Sequence, residues 1–413
     1  MLTPNYLKKV PRRIEKLYQE LEDFIIEDIA RRINKAATIT STAEWQYIRA
    51  QELGIAEDVI KKKIAKILKK SDKEIERLFR ESAIKSINFD NEIYKNAKLT
   101  PMHLHSSPEL QRLLEAAIKQ TKGELENMTN SLGFCTRGVN GKVKNKKLTK
   151  FYQESLDLAQ FQVSTGVLDK TKATRQAVKR LSESGVRWIN YESGWHNRVD
   201  VAVRRAIRTG VNQMAASMTD FQMDEMGCEY VEVSAHPGAR PSHEEWQGEV
   251  YKRYGSDENY ENFEDATGYG TVEGLLGANC RHSYAPFIMG ASKRTYTKEA
   301  LKNINPYKSM EYNGKTYTYY EATQRQRQIE TRIRATKREL IGYRATGDKE
   351  AFTNASIKLQ RQKQEYSNFS NAANISKKDN RTQVQGFDRS ISQKSVHASK
   401  RRKYNYIRWN SYF

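Results

Sequence analysis

The 413-residue sequence is poor in cysteine and in apolar residues, and each shortage removes a class of protein. Its three cysteines, Cys135, Cys228 and Cys280, are odd in number and far apart. That argues against a disulfide framework and for a reducing compartment. No stretch of 18 apolar residues escapes charge, so no membrane-spanning segment is expected. The opening "MLTPNYLKKVPRRIEKLYQELEDF" lacks the apolar stretch of an export signal. Only 38% of residues are hydrophobic while 29% are charged and 23 are tyrosine, which suits long polar helices and wet surfaces better than one compact enzyme core. With 71 Lys and Arg against 50 Asp and Glu, the net charge of +21 points to acidic partners, of which nucleic acid is the commonest.

The charge is unevenly spread. Residues 1–100 carry 21 basic against 16 acidic groups, residues 231–300 only 7 against 11, and residues 311–413 carry 22 against 9. The last segment ends in "SKRRKYNYIRWNSYF", where Lys400, Arg401, Arg402, Lys403 and Arg408 alternate with aromatics. Such a tail suits phosphate neutralisation with base stacking, and equally a tail that docks on another protein.

Apolar residues at Ile14, Leu17, Leu21, Ile25, Ile29 and Ile33 recur every three or four positions and predict a helix over 12–35. A second helix is expected over 43–53, ending near Gly54, followed by two more with Ser71 and Asp72 as an N-cap between them. Gly133, Gly138, Gly141 and a basic run mark a loop or joint at 131–148. Beyond it, 171–182 reads as helix, "GVRWINYESG" alternates like a strand, a long helix runs to Gly227, and "EYVEVSAH" alternates again. Near the C-terminus, Ile329, Ile333 and Leu340 share one helical face. A break falls at "YRATGDKE", and Phe352, Ala355, Leu359, Tyr366 and Phe369 resume the stripe, as in an antiparallel hairpin. Its opposite face is expected to offer Arg325, Arg327, Arg332, Arg334, Lys337 and Arg338 to DNA or to an acidic protein.

The stretch richest in chemistry is "SAHPGARPSHEEWQGEVY", residues 234–251, which hangs off a strand end inside the acidic segment. His243 beside Glu244, with His236 and Arg240 near, offers an acid–base pair and a phosphate-binding cation, as a metal-independent nuclease needs. The competing reading is architectural. Arg240 and His243 then satisfy backbone and carboxylate groups of the turn while Trp246 packs inward. Downstream, "TGYGTVEGLLGANCRHSYAPF" places a flexible glycine run before Cys280, Arg281 and His282, at spacings that do not fit a dinucleotide-binding fingerprint. His236, His243, Cys280 and His282 have the donors for zinc. Six residues separate the first pair and one the second, which is not the usual spacing of zinc ligands, so no cofactor is expected.

Several of these stretches together resemble the phage minor capsid protein 2 family and, more distantly, the phage Mu F-type head morphogenesis proteins. They are "LYQELEDFIIEDIARRI", "TAEWQ", "AVRRAIRTGVNQ", the 234–251 stretch, the glycine-rich stretch after it, and "YYEATQRQRQIETRIRATKREL". Mu F-type proteins carry an R-x-x-H motif followed by Gly, then C-R-C followed by Pro. Arg240, His243, Gly248, Cys280, Arg281 and Pro286 match those motifs, while His282 stands where the relatives have a second cysteine. The resemblance implies a structural virion protein of a tailed phage, at the portal or in the head interior, made in the host cytoplasm. It implies portal, major capsid or scaffolding proteins and genomic DNA as partners, and a role in head assembly, packaging or delivery. The alternatives are a nuclease-like enzyme using His236 and His243, or a non-specific DNA-binding virion protein. The expected fold is mainly α with a small α+β core: a helical region over 1–130, a basic joint over 131–170, the core over 171–310, a helical hairpin over 311–373 and a basic aromatic tail over 374–413.

Overall fold

The computed structural model describes residues 1–36, 42–137, 143–165, 169–190 and 192–410, and they form a mainly helical protein with small antiparallel sheets. The chain divides into two compact units. Unit 1 comprises residues 1–15, 69–127 and 203–323, and unit 2 comprises 16–68, 128–202 and 324–413.

A short α1 (Pro4–Lys9), capped by the Thr3 side chain, precedes α2 (Arg12–Ala36). The stripe of α2 is buried at Ile14, Leu21, Ile25 and Ile29, as its spacing predicts. The three helices expected after it are one, α3 (Thr42–Asn96), of 55 residues. It contains no proline, and a single Gly54 costs only about 1 kcal/mol against alanine, too little to end a helix whose apolar stripe continues. That stripe runs through the expected break, with Ile60, Ile67, Ile75, Phe79 and Ile87 buried, and Ser71 lies wholly inside the helix rather than capping one.

After α4 (Pro108–Asn130), the expected basic joint is a hairpin of β1 (Leu132–Arg137) and β2 (Val143–Lys147), with Cys135 opposite Asn145. Gly138 and Gly141 lie outside the described residues. Then come α5 (Leu148–Ser164), α6 (Lys170–Ser184), β3 (Arg187–Ile189) and β4 (His196–Arg198), completing a sheet of order β2-β1-β3-β4 in unit 2. Phe134 of β1 stacks on Phe151 of α5, with ring centroids 4.2 Å apart, which ties this sheet to its helix.

Helix α7 (Val199–Met226) stops where Gly227 takes a φ of 62°, and β5 (Tyr230–Val233) follows. Short elements follow in unit 1: α8 (Pro241–Glu244), β6 (Val250–Lys252), α9 (Phe263–Thr267), β7 (Tyr284–Phe287) and α10 (Lys298–Lys302). Strand β5 is central, with Val231 opposite both Tyr251 of β6 and Pro286 of β7. Pro286 therefore sits on an edge strand, where its missing N–H is tolerated. The glycine run expected to be flexible is folded tightly on itself. A Cβ on Gly274 would lie 2.0 Å from the carbonyl oxygen of Gly268, and Leu275 and Leu276 between these turns are buried.

The helical hairpin is preceded by a β-hairpin, β8 (Ser309–Tyr312) and β9 (Lys315–Thr318). Its two-residue turn is Asn313-Gly314, both at positive φ, as a type I′ turn requires. Helices α11 (Tyr319–Ala345) and α12 (Lys349–Ala372) are separated at Gly347, as expected. Their stripe is buried at Ile329, Ile333, Leu340, Ala355, Leu359, Tyr366 and Phe369. The segment expected as a tail contains α13 (Asp379–Thr382) and α14 (Arg389–Asn410), and α14 packs along α12 with Ile391 buried.

Candidate metal centre

Unit 1 gathers the residues singled out in the sequence around the ends of β5 and β7. Beyond β5, the Ser234 N–H donates to the Ser283 carbonyl at 2.8 Å, and the Ser283 N–H donates to Ser234 Oγ at 2.9 Å. These bonds extend the pairing of the two segments just far enough to set His236 beside His282. The rings stack with centroids 4.3 Å apart and planes 15° from parallel. Gly238 turns the chain at a φ of 66°, its N–H held by Asn305 Oδ1 at 2.8 Å. Pro241 then opens α8 at a position where a missing donor costs nothing, and α8 carries His243 inward, 2% exposed.

The backbone of this loop is satisfied from several sides. Arg240 donates to the Ala278 carbonyl at 2.8 Å, and Asn212 of α7 donates to the His282 carbonyl at 2.8 Å. Glu244, whose carboxylate was expected to assist His243, accepts from the Asn305 amide through Oε1 at 3.0 Å. Trp246 is 6% exposed and packs against both His243 and His282, at centroid distances of 4.4 and 4.9 Å. Gly248 has a φ of 76°, and a Cβ there would meet Leu301 Cδ2 at 2.5 Å, so only glycine fits.

Three ligand-type side chains converge. His243 Nδ1 and His282 Nδ1 are 3.4 Å apart, and Cys280 Sγ lies 3.8 Å from the first and 3.5 Å from the second. All three side chains are buried. His236 is not one of this group. Its Nδ1 lies 3.0 Å from the Pro237 carbonyl oxygen and 3.2 Å from an Arg281 guanidinium nitrogen. Those contacts require opposite tautomers, so only one is a hydrogen bond at a time.

Burial and then the positive charge of Arg281 push His236 down to about 3. Burial also lowers His243, and it holds His282 well below the usual imidazole range. All three rings are therefore neutral near pH 7. Neutral imidazoles are good metal ligands and poor general acids, which weakens the acid–base arrangement considered for His236, His243, Arg240 and Glu244. Burial raises the Cys280 thiol, while backbone amides at His282 and Leu276 draw it the other way.

Gln247 and the Glu273 carbonyl complete this site and were not singled out in the sequence. Glutamine beside a tryptophan carries no signal, and a backbone carbonyl carries none at all.

The cations expected on α11 are divided. Arg327 and Arg332 are exposed and Arg325 is half-buried, with Arg325 and Arg332 both reaching Glu365 at 3.0 Å. Arg334, Lys337 and Arg338, expected on the same open face, are 7%, 9% and 1% exposed. Arg334 donates to the Arg381 carbonyl at 2.7 Å and lies 3.5 Å from Asp200; Lys337 donates to the Thr382 carbonyl at 2.6 Å. Arg338 pairs with Glu22 and Asp23. These last three do not face solvent because α11 is buried nearly all round over 333–341, and they meet buried carboxylates and helix-end carbonyls instead. Lys400 is exposed, whereas the side chains of Arg401, Arg402, Lys403 and Arg408 lie outside the described residues.

No solved structure matches the chain. A "Structural protein" of Lactococcus phage LL-H is 25% identical over 230 residues, which is 52% of this chain and 59% of that protein, so the chain spans under two thirds of its length. The family model described as phage minor capsid protein 2 matches residues 2–371, from α1 to the end of α12 and across both units, and on that match the chain belongs to the phage minor capsid protein 2 family.

Proposed function

We propose that this chain is a structural component of the phage head, held in few copies at the portal or in the head interior, and needed for head assembly or for packaging and delivery of DNA. The observation that carries the reading is the family match over 2–371, which takes in the helical segments as well as the histidine loop. The inward-facing, neutral histidines fit a device that holds unit 1 together better than one that moves protons in solvent. Its partners are portal, major capsid or scaffolding proteins. The exposed Arg327, Arg332 and Lys400 and the half-buried Arg325 supply the surface cations that genomic DNA contacts through its phosphates.

A nonsense mutation early in the coding sequence, tested in suppressing and non-suppressing hosts, examines this reading. Without suppression, infection should give particles that are misassembled, empty, or filled but unable to deliver DNA. A normal yield of infectious particles would contradict it.

A further inference from the structure

We propose that His243, Cys280 and His282 bind one zinc ion, with His243 and His282 donating through Nδ1 and Cys280 through Sγ. Geometry is the first support. Zinc bonds of about 2.0–2.1 Å to nitrogen and 2.3 Å to sulfur, set at tetrahedral angles, give an N···N edge of about 3.4 Å and S···N edges of about 3.6 Å. The edges in the structure are 3.4, 3.5 and 3.8 Å.

Proton placement is the second support, and it is independent of the distances. His243 Nε2 lies 2.8 Å from the Glu273 carbonyl oxygen, which can only accept, so this nitrogen carries the proton and Nδ1 presents a lone pair. His282 Nε2 lies 3.1 Å from Gln247 Oε1. That atom also accepts the His236 backbone N–H at 3.0 Å, which fixes it as the amide oxygen rather than nitrogen. His282 therefore also presents an Nδ1 lone pair. Two lone pairs face each other at 3.4 Å with one thiol proton to serve both. A cation removes that conflict, and a carbonyl or amide oxygen behind each imidazole is the usual outer partner of a metal-bound histidine.

Zinc suits the donors. Two imidazoles and a thiolate are borderline-soft ligands, and among the described residues no carboxylate belongs to the cluster. Binding replaces the Cys280 thiol proton with the metal, and that proton leaves to solvent. The three protein donors leave a fourth position for a water or a small anion. Arg240 and Arg281, whose charges already bear on Cys280 and His282, favour the anion. The ion would join α8 to the segment entering β7, and through Glu273 to the glycine-rich turn.

The test uses the full chain, purified without chelator, dialysed against zinc and analysed by elemental mass spectrometry. About one zinc per chain is expected. Replacement by cobalt should give a thiolate-to-cobalt charge-transfer band in the near ultraviolet, a readout that needs no variant. Cys280→Ser should abolish that band and weaken binding by at least about 100-fold. Gln247→Leu should weaken it about 10- to 100-fold by releasing His282. His236→Asn, outside the cluster, should keep the ion. Zinc below about 0.1 per chain with no cobalt band, equal zinc in wild type and Cys280→Ser, or copper or iron bound in preference would each overturn the proposal.

Discussion

Arg338 and Glu22 form an ion pair sealed inside unit 2, with the arginine side chain 1% and the glutamate side chain 0% exposed. Arg338 also lies 3.4 Å from Asp23, and Glu22 also accepts from Arg198 at 2.9 Å and from the Val186 N–H at 3.1 Å. Two carboxylates and two guanidiniums thus share one buried site, where each charge is tolerable only because the others are present. Arg338→Met would leave buried carboxylates without their main counter-charge and should cost about 3–5 kcal/mol. Arg332→Ala, which removes an exposed partner of Glu365, should cost under about 1 kcal/mol. Urea unfolding of both variants checks the contrast, and equal losses would contradict the account of this site.

The same site has a pH signature. Burial raises the Asp23 carboxyl to about 6, against the opposing pull of Arg338 and the Gly386 N–H. In the unfolded chain the group titrates near 3.9. The folded chain therefore binds this proton more tightly. Asp23 contributes most to stability below about pH 4, and that contribution is lost as pH rises to about 6. The stability difference between wild type and Asp23→Asn should shift by about 1–3 kcal/mol between pH 4 and 6.5. A difference constant across that window would show that Asp23 titrates normally.

Elements set by local pattern were legible in the sequence; the donors of the site were too, but not which of them long-range pairing brings together. The stripe of α2, the stop of α7 at Gly227 and the hairpin break at Gly347 each follow from spacing or from a residue that favours positive φ. Hairpin β8–β9 announces itself by Asn313-Gly314 between alternating residues, a signal that sequence reading passed over. The single helix α3 could be missed because Ser71 has the chemistry of a cap, and only burial against the rest of the chain decides that it is not one. The cluster of His243, Cys280 and His282 was invisible to ligand-spacing rules. Those rules count neighbours along the chain, whereas β5–β7 pairing brings together residues 37 and 39 positions apart. His236, the expected partner by proximity in sequence, stacks on the cluster instead of joining it.

Trp246 should be the main apolar anchor of the histidine loop. Trp246→Ala should cost about 3–5 kcal/mol, whereas Glu245→Ala, at the exposed position next to it, should stay within about 0.5 kcal/mol. Thermal unfolding compares the two. Wild-type melting of Trp246→Ala, together with normal heads that fail only at infection, would make the loop a functional surface instead of an architectural one.

If the C-terminal cations contact DNA, they should do so through phosphates and without sequence preference. Contact with about six phosphates would weaken binding roughly 10³-fold between about 50 and 200 mM salt. Replacing Arg325, Arg327 and Arg332 together by alanine should lower the salt dependence by roughly three phosphates' worth. Filter binding of the full chain to duplexes of unrelated sequence measures both. Binding that ignores salt, or none at low salt, would assign these cations to protein partners.

The central claim is that the chain is built into the virion, and quantitative mass spectrometry of density-purified particles tests it most directly. The account predicts peptides from both units in particles that have been treated with nuclease and washed, in far fewer copies than the major capsid protein. Abundant protein in the infected-cell lysate with none in the purified particles would contradict it.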